Sequence, residues 1–250
     1  METKKKCFTR SAFFWSFAVV FILASCSGSG DEKFSINKNK LTLHYEETEQ
    51  LTASESAEWI SENDFIANVS SDGLVEGGHV GKTNILANST SGSAICEVEI
   101  IPVYSTFIEP FLEFGVPKET VKSKETRNLY KEGSSSLLYK GENSFVNSIL
   151  YSFDDNGKLK GSAVGLSLTC ASEAMKFLIE RYLPIGEKDE IFLFINGNTN
   201  NYTMGVGLSL QQSYIVIVYS PVSTTNSKSY NQNHLREELK SLLDETIESF

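Results

Sequence analysis

The fold of the first part of the chain is decided by the stretch IANVSSDGLVEG, residues 66–77. Its first four residues have the pattern of a half-buried β-strand. The next four, SSDG, are residue types that favour a turn, and a second strand is predicted to follow them. Short strand-like runs of this kind recur every eight to twelve positions or so from Phe34 to Ile101, with no helical period between them. The pattern predicts an all-β sandwich over residues 34–101.

Seven short motifs extend this pattern along the segment. They are Leu41-x-Leu43, Gln50-Leu51, Trp59-x-Ser61, Ala67-x-Val69, Gly73-Leu74-Val75-x-Gly77, Gly81-x-x-x-Ile85 and Cys96-x-Val98-x-Ile100. Together they resemble the bacterial Ig-like domain of group 2. The resemblance implies that Trp59 is the core aromatic around which the two sheets pack. It also implies a module of the kind that commonly occurs in surface adhesion proteins.

One motif of this segment is similar to a nucleotide site. GHVGKT, residues 78–83, ends like a phosphate-binding loop. That loop requires a glycine five residues before Gly81, where this chain has Glu76, and a helix after it. Residues 84–87 predict a strand instead. The glycines are therefore interpreted as turn residues.

The N-terminus predicts export. Lysines at positions 4–6 and Arg10 precede an uncharged, mostly apolar stretch, residues 11–24. At about 1.5 Å per residue this stretch reaches about 21 Å, which is short of the roughly 30 Å hydrocarbon core of a bilayer. Residues 1–25 are therefore predicted to be a signal peptide.

The sequence Leu23-Ala24-Ser25-Cys26 ends this stretch and resembles the lipobox of bacterial lipoproteins. The resemblance implies that Cys26 carries the lipid, and two or three acyl chains anchor a protein stably to a membrane. Residues 26–33 are predicted to be a flexible tether. Its acidic pair, Asp31 and Glu32, resembles a surface-export signal. We therefore expect a lipid anchor in the outer membrane, facing the cell surface, with the periplasmic leaflet as the alternative.

Residues 104–222 predict an α+β domain, an antiparallel sheet with helices on one face. The order helix-strand-strand-strand is predicted twice, which suggests a duplicated unit. The first unit has a helix at residues 117–127 and strands at 136–139, 145–153 and 159–168. The second has a helix at residues 172–183 and strands at 190–195, 202–210 and 214–219. The phrase FGVPKETV, residues 114–121, resembles small two-layer envelope lipoprotein domains of the inhibitor and assembly type. That resemblance transfers no functional residue.

The tail allows two interpretations. Residues 223–233 are polar and are predicted to be a linker. Residues 234–250 predict an amphipathic helix, with leucines at helical spacing and acidic residues between them. The helix either closes the core of the α+β domain or docks a partner.

The charge balance argues against nucleic-acid binding. The 250 residues carry a formal net charge of −10, and removal of the predicted signal peptide makes the remainder more acidic still. Such a surface repels phosphate backbones. No nucleic-acid partner is therefore expected.

No catalytic or metal-binding motif is present in the sequence. His44, His79 and His234 are scattered, and the turn DDNG, residues 154–157, lacks the ligand pattern of an EF-hand loop. Cys96 and Cys170 lie in apolar surroundings, where they are either buried thiols or a disulfide. We expect no metal and no cofactor. The sequence leaves open the activity of a carboxylate-based glycosidase, because the catalytic acids of such an enzyme need no local motif.

The sequence thus predicts a non-catalytic envelope lipoprotein. An Ig-like stalk would present the α+β domain for binding or adhesion, with a glycan or a protein as ligand. The alternative is a periplasm-facing accessory factor, either an enzyme inhibitor or an assembly subunit. The exposed loops Asn196–Asn201 and Ser223–Asn233 are candidate contact sites.

Overall fold

A computed structural model describes residues 33–188, 190–222 and 232–248. The predicted signal peptide, Cys26 and residues 223–231 of the predicted linker lie outside these ranges. Within the described ranges, no helix combines the length and the apolar character that crossing a bilayer requires.

The first domain is a two-sheet β-sandwich, as predicted. Its strands are β1 (Lys40–Leu43), β2 (Thr48–Gln50), β3 (Glu58–Ser61), β4 (Ala67–Val69), β5 (Leu74–Gly77), β6 (Gly81–Asn88) and β7 (Ser93–Ile100). One sheet has the order β1-β7-β6-β3 and the other the order β2-β5-β4. β1 pairs with β7 in parallel, whereas the other neighbours are antiparallel.

The stretch 66–77 forms β4 and β5, which pair antiparallel across the predicted turn. The amide of Ser70 donates to the carbonyl of Leu74 at 2.9 Å, and Gly73 takes a φ of 87° at the turn. Any Cβ at Gly73 would also lie only 2.6 Å from the carbonyl oxygen of Leu51 and 2.9 Å from the Trp59 ring. Glycine is therefore required at position 73 for both backbone conformation and space.

The prediction that both sheets pack around Trp59 is wrong. Trp59 is only partly buried and packs against a core that is aliphatic at its centre, where Leu51, Val75 and Ile85 are fully buried. The reason is topological, because β3 is an edge strand of its sheet and has a neighbour on one side only.

The second domain is an eight-stranded antiparallel sheet with helices. Its elements are α1 (Lys118–Lys124), β8 (Leu129–Glu132), β9 (Ser136–Lys140), β10 (Val146–Phe153), β11 (Leu159–Ser167), α2 (Ala171–Ile179), β12 (Leu183–Lys188), β13 (Ile191–Ile195), β14 (Met204–Leu210), β15 (Tyr214–Pro221) and α3 (Gln232–Ile247). The strand order is β12-β13-β14-β15-β11-β10-β9-β8. This confirms the predicted fold class.

The predicted duplication is present, but each unit has four strands after its helix and not three. The two missed strands, β8 and β12, form the opposite edges of the sheet. β12 begins at Leu183, which the sequence assigned to the preceding helix, and its Pro184 is tolerated because an edge strand does not need every amide. The two halves meet where β11 pairs antiparallel with β15, from Ser162 opposite Tyr219 to Ser167 opposite Tyr214.

Helices cover both faces of this sheet. α1 and α2 lie on one face, as predicted, and bury Val121, Phe177 and Leu178 against it. α3 covers the other face and buries Leu235 and Leu239.

Two strand glycines make room for α3. A Cβ at Gly205 would lie 2.2 Å from Leu235, and one at Gly161 would lie 2.5 Å from Leu242. Of the two interpretations of the last helix, the structure therefore shows the one in which α3 completes the core.

Candidate functional site

The connecting segment between the two domains, residues 102–116, has no regular secondary structure. It begins against the sandwich, where the amide of Ile101 donates to the carbonyl of Leu43 at 2.9 Å. It ends on the sheet, where the amide of Gly115 donates to the carbonyl of Leu159 at 2.8 Å. One end of the connecting segment is thus bonded to β1 and the other end to β11.

Glu180, at the end of α2, holds both domains and the connecting segment. Its carboxylate accepts hydrogen bonds from the amides of Val103 at 2.9 Å and Tyr104 at 3.0 Å. Its carbonyl oxygen accepts from the amide of Val80 in the sandwich at 2.8 Å. Arg181 pairs with the carboxylate at 2.5 Å, and Glu180 is only 2 % exposed. A buried carboxylate with these partners is well satisfied.

A second buried ion pair holds the middle of the connecting segment. Arg127 pairs with Glu125 at 2.9 Å and with Glu142 at 2.7 Å, and it donates to the carbonyl of Ile108 at 2.6 Å. Glu142 accepts from the amide of the same Ile108 at 2.8 Å. The segment is therefore held along its length by side chains of the α+β domain.

Glu125 in this pair has a lowered pKa. Burial alone would raise the pKa of Glu125, but hydrogen bonds from the Tyr151 hydroxyl and the Arg127 amide, together with the Arg127 charge, outweigh it. Burial and Glu125 in turn raise the pKa of Tyr151, whose hydroxyl accepts from the amide of Phe111 at 3.0 Å. The ionised carboxylate of Glu125 therefore holds the neutral phenol of Tyr151 in place, which suits a structural role for this pair.

A cleft of about 710 Å³ lies at the junction of the two domains. Phe65 and Ile66 of the sandwich form one wall, and Glu109 lies on the opposite side. The Tyr182 hydroxyl donates to Glu109 at 2.6 Å, and Arg181 lies 4.0 Å from it. Burial raises the pKa of Glu109, although Tyr182 and Arg181 act in the opposite direction.

The three histidines do not form a site together. His79 is buried at the junction, stacked on Phe65 with ring centroids 4.0 Å apart, and burial lowers its pKa. The ring of His44 is within 3.0 Å of the carbonyl oxygen of Ile101, and His234 lies in α3. In the described part of the chain, no group of three or more His, Cys, Asp and Glu residues could hold a metal ion.

Cys96 and Cys170 are both buried and unpaired. Cys96 belongs to the core of the sandwich and Cys170 to the core under α1 and α2. Burial raises the pKa of both thiols. Of the two alternatives that the sequence left open, the structure has buried thiols.

The loop Asn196–Asn201 is partly engaged within the molecule. Asn196 accepts hydrogen bonds from the amides of Thr203 at 2.9 Å and Met204 at 2.8 Å. Asn198 donates to Asp64 of the sandwich at 2.7 Å. Asn196 and Asn198 therefore contribute to the junction, whereas residues 199–201 are exposed. Most of the other predicted loop, Ser223–Asn233, lies outside the described residues.

The end of the eight-stranded sheet opposite the junction is here called the distal end. β15 runs from Tyr214 at the distal end to Pro221 at the junction, a separation of about 23 Å at the usual rise per residue. Among the described residues outside the sandwich, four exposed large apolar side chains lie at the distal end, namely Ile108, Phe145, Leu168 and Leu210. Leu129 and Tyr130 are also exposed, but the register of β8 places them about halfway along the sheet.

A groove opens beside these residues, on the face of the sheet that α3 covers only in part. We call it the tyrosine groove. Its volume is about 360 Å³, and its lining includes Tyr130, Leu138, Lys140, Asn147, Ser148 and Tyr214. Sequence reasoning missed it because these residues come from β8, β9, β10 and β15. The only local signal was the run LYKE of β8, whose residues are all exposed.

Comparison with known proteins supports the architecture of the first domain. Residues 32–98 match the family described as Bacterial Ig-like domain (group 2), which confirms the predicted Ig-like domain. No curated protein matches the chain.

Two solved structures match this chain with low sequence identity and low TM-scores. Domains 5–6 of the S-layer protein SbsC are 11% identical, over 78% of this chain and 86% of that chain, with a TM-score of 0.24. An intimin mutant of EHEC O157:H7 is 16% identical, over 75% of this chain and 98% of that chain, with a TM-score of 0.25. TM-scores this low support no inference about fold or function.

Proposed function

We propose that this protein is a non-catalytic envelope lipoprotein whose Ig-like domain is a spacer that presents the α+β domain for binding. The observation that carries the proposal is the placement of exposed apolar side chains. Four of them, Ile108, Phe145, Leu168 and Leu210, lie at the distal end, away from the Ig-like domain. Exposed apolar surface of this kind commonly marks an interaction site.

The fixed junction supports the role of a spacer. Glu180 bonds to both domains and to the connecting segment, and the described residues of both domains belong to one compact unit. A spacer that is rigid keeps its binding surface at a constant distance from the anchor. A flexible one would let that surface fold back.

The anchor in this proposal is a lipid on Cys26. The support for it is the sequence alone, namely the apolar stretch 11–24 and the lipobox-like residues before Cys26. The ligand is a glycan or a protein outside the cell, and the location is the outer leaflet of the outer membrane.

Proteinase treatment of intact cells tests the orientation. Loss of the protein without lysis is expected if the chain faces outward. Digestion only after lysis would contradict surface display. It would favour the alternative, a periplasm-facing inhibitor or assembly subunit.

Substitutions at the distal end test the binding surface. Phe145→Ser and Leu168→Ser replace residues that are 45% and 37% exposed, so neither should affect folding. Ile95→Ser, at a residue 51% exposed in the Ig-like domain, is the matched control. We expect the distal variants, and not the control, to lose retention on immobilised host extracellular-matrix proteins. Equal retention by all three variants would contradict the proposal.

A further inference from the structure

We propose that the tyrosine groove binds an acidic oligosaccharide, an inference that rests on the proposed binding function and names its ligand class. The first support is the uncovered sheet face. α3 packs on β14 and β15, and its leucines reach Gly205 and Gly161. The part of the same face that is formed by β8, β9 and the start of β10 is less covered by α3, although Leu138 of β9 packs against the core that α3 completes.

A β-bulge turns Tyr130 into the groove. In the pairing of β8 with β9, Leu129 lies opposite Tyr139 and Lys131 lies opposite Leu138, so Tyr130 is the extra residue. Lys140 lies over its ring, with the Nζ atom 5.7 Å from the ring centroid. Bulges often re-aim a side chain in this way at functional sites.

The aromatic residues suit a sugar ring. Tyr130 is 67% exposed, so much of this residue is accessible to a ligand. Tyr214 lines the groove from β15. A tyrosine presents an apolar ring and a polar hydroxyl, and a pyranose presents an apolar C–H face with hydroxyls around its edge. Asn147 and Ser148 add donors and acceptors to the groove.

The charge of the groove selects an acidic ligand. Lys140 is the one charged side chain among the described residues that line it. Lys131 adds a second positive charge on this face of β8, because it lies opposite Leu138. Glu132 is engaged elsewhere, with Lys122 at 3.1 Å. A locally positive groove on a chain of net charge −10 is complementary to a carboxylate or sulfate on a sugar.

Two other anionic ligands fit less well. An extended acidic peptide would add to the edge of the sheet through backbone hydrogen bonds, but the bulge at Tyr130 interrupts the regular edge of β8. A nucleic acid would meet the strongly negative remainder of the surface.

Binding of defined oligosaccharides tests the proposal. The probes are tetragalacturonate, a hyaluronan tetrasaccharide and sialyllactose, each beside a neutral counterpart such as the methyl ester or lactose. Titration calorimetry on the whole protein should show binding of at least one acidic probe, and weaker binding of its neutral counterpart.

Two variants and a matched control locate the site. Tyr130→Ala should weaken binding by about tenfold because a stacking surface is lost. Lys140→Met should abolish the preference for the acidic probe over the neutral one. Lys176→Met is the control, because Lys176 also lies over a tyrosine ring, that of Tyr104 at 5.5 Å, but outside the groove. It should bind like the wild type.

Binding of none of the acidic probes would overturn the proposal, as would binding that Tyr130→Ala and Lys140→Met leave unchanged. Stronger groove binding of a hexaglutamate peptide than of any sugar would overturn it in favour of an acidic peptide. The proposed function fails separately, through the distal variants Phe145→Ser and Leu168→Ser. These residues do not line the groove, so the two tests give independent results.

Discussion

At the scale of single residues, two buried carboxylates in the α+β domain respond to burial in opposite ways. Glu125 is ionised and satisfied by Arg127 and by the hydroxyl of Tyr151, and its pKa is lowered. Glu109 accepts a hydrogen bond from the Tyr182 hydroxyl and lies 4.0 Å from Arg181, but burial outweighs its partners and its pKa is raised. The number and distance of the compensating groups decide the sign.

Glu125→Gln is expected to destabilise the protein at neutral pH by about 3 kcal/mol, because it leaves Arg127 buried with a weaker partner. A lowered pKa in the folded state contributes stability above the ordinary value of 4.5, and this stability is lost as the pH falls. The difference between variant and wild type should therefore shrink toward about pH 3. Urea unfolding at neutral pH and at about pH 3 measures this difference in the free energy of unfolding. Glu119→Gln, at a side chain 79% exposed, is the control. An equal loss of stability in this variant would contradict the role given to the buried Glu125–Arg127 pair.

Glu109→Gln is expected to have the opposite pH dependence. A raised pKa in the folded state means that the contribution of Glu109 is most favourable below 4.5 and is lost as the pH rises through the folded pKa. The amide keeps an acceptor for the Tyr182 hydroxyl but removes the cost of ionisation. The Tm of the variant relative to the wild type should therefore increase from about pH 4 to about pH 8. A relative Tm that falls over this range would contradict the raised pKa.

At the scale of elements, α3 completes the sheet and does not stand apart from it. Leu239 is fully buried, and Gly161 and Gly205 have no side chain where the helix crosses their strands. Helical periodicity predicted the helix itself. It could not show which surface the helix covers, because the complementary glycines lie in strands far away in the sequence.

Leu239→Ala is expected to cost about 2–5 kcal/mol in the free energy of unfolding, the usual range for a buried leucine. Leu210→Ala, at a residue 48% exposed, should cost less than about 0.5 kcal/mol. Denaturant unfolding followed by circular dichroism measures both. A similar small effect for the two substitutions would mean that α3 is not part of the core.

The strands that the sequence missed share one physical feature. β8 and β12 are edge strands, with little burial along their length, so they lack the apolar signal that identified the inner strands. The inner strands β10, β11, β14 and β15 have mostly buried residues and were all predicted. The sequence also predicted the turn between β4 and β5, because turn residues such as Gly73 act locally.

At the scale of the whole molecule, the junction and the distal end depend on long-range placement. Glu180 meets Val80 and Val103, and Tyr130 shares a groove with Tyr214. No local pattern in the sequence could reveal these pairs. The sequence therefore predicted the architecture of both domains but not the candidate site.

In the proposed function, the Ig-like and α+β domains act as one rigid body. The most direct measurement is the distance distribution between spin labels at Lys40→Cys and Lys240→Cys, two positions whose lysine side chains are 76% and 52% exposed. The account predicts a single narrow distribution in the otherwise wild-type protein. Glu180→Ala should broaden it, because the amides of Val103 and Tyr104 then lose their acceptor. A broad distribution before that substitution would contradict the claim of a rigid spacer.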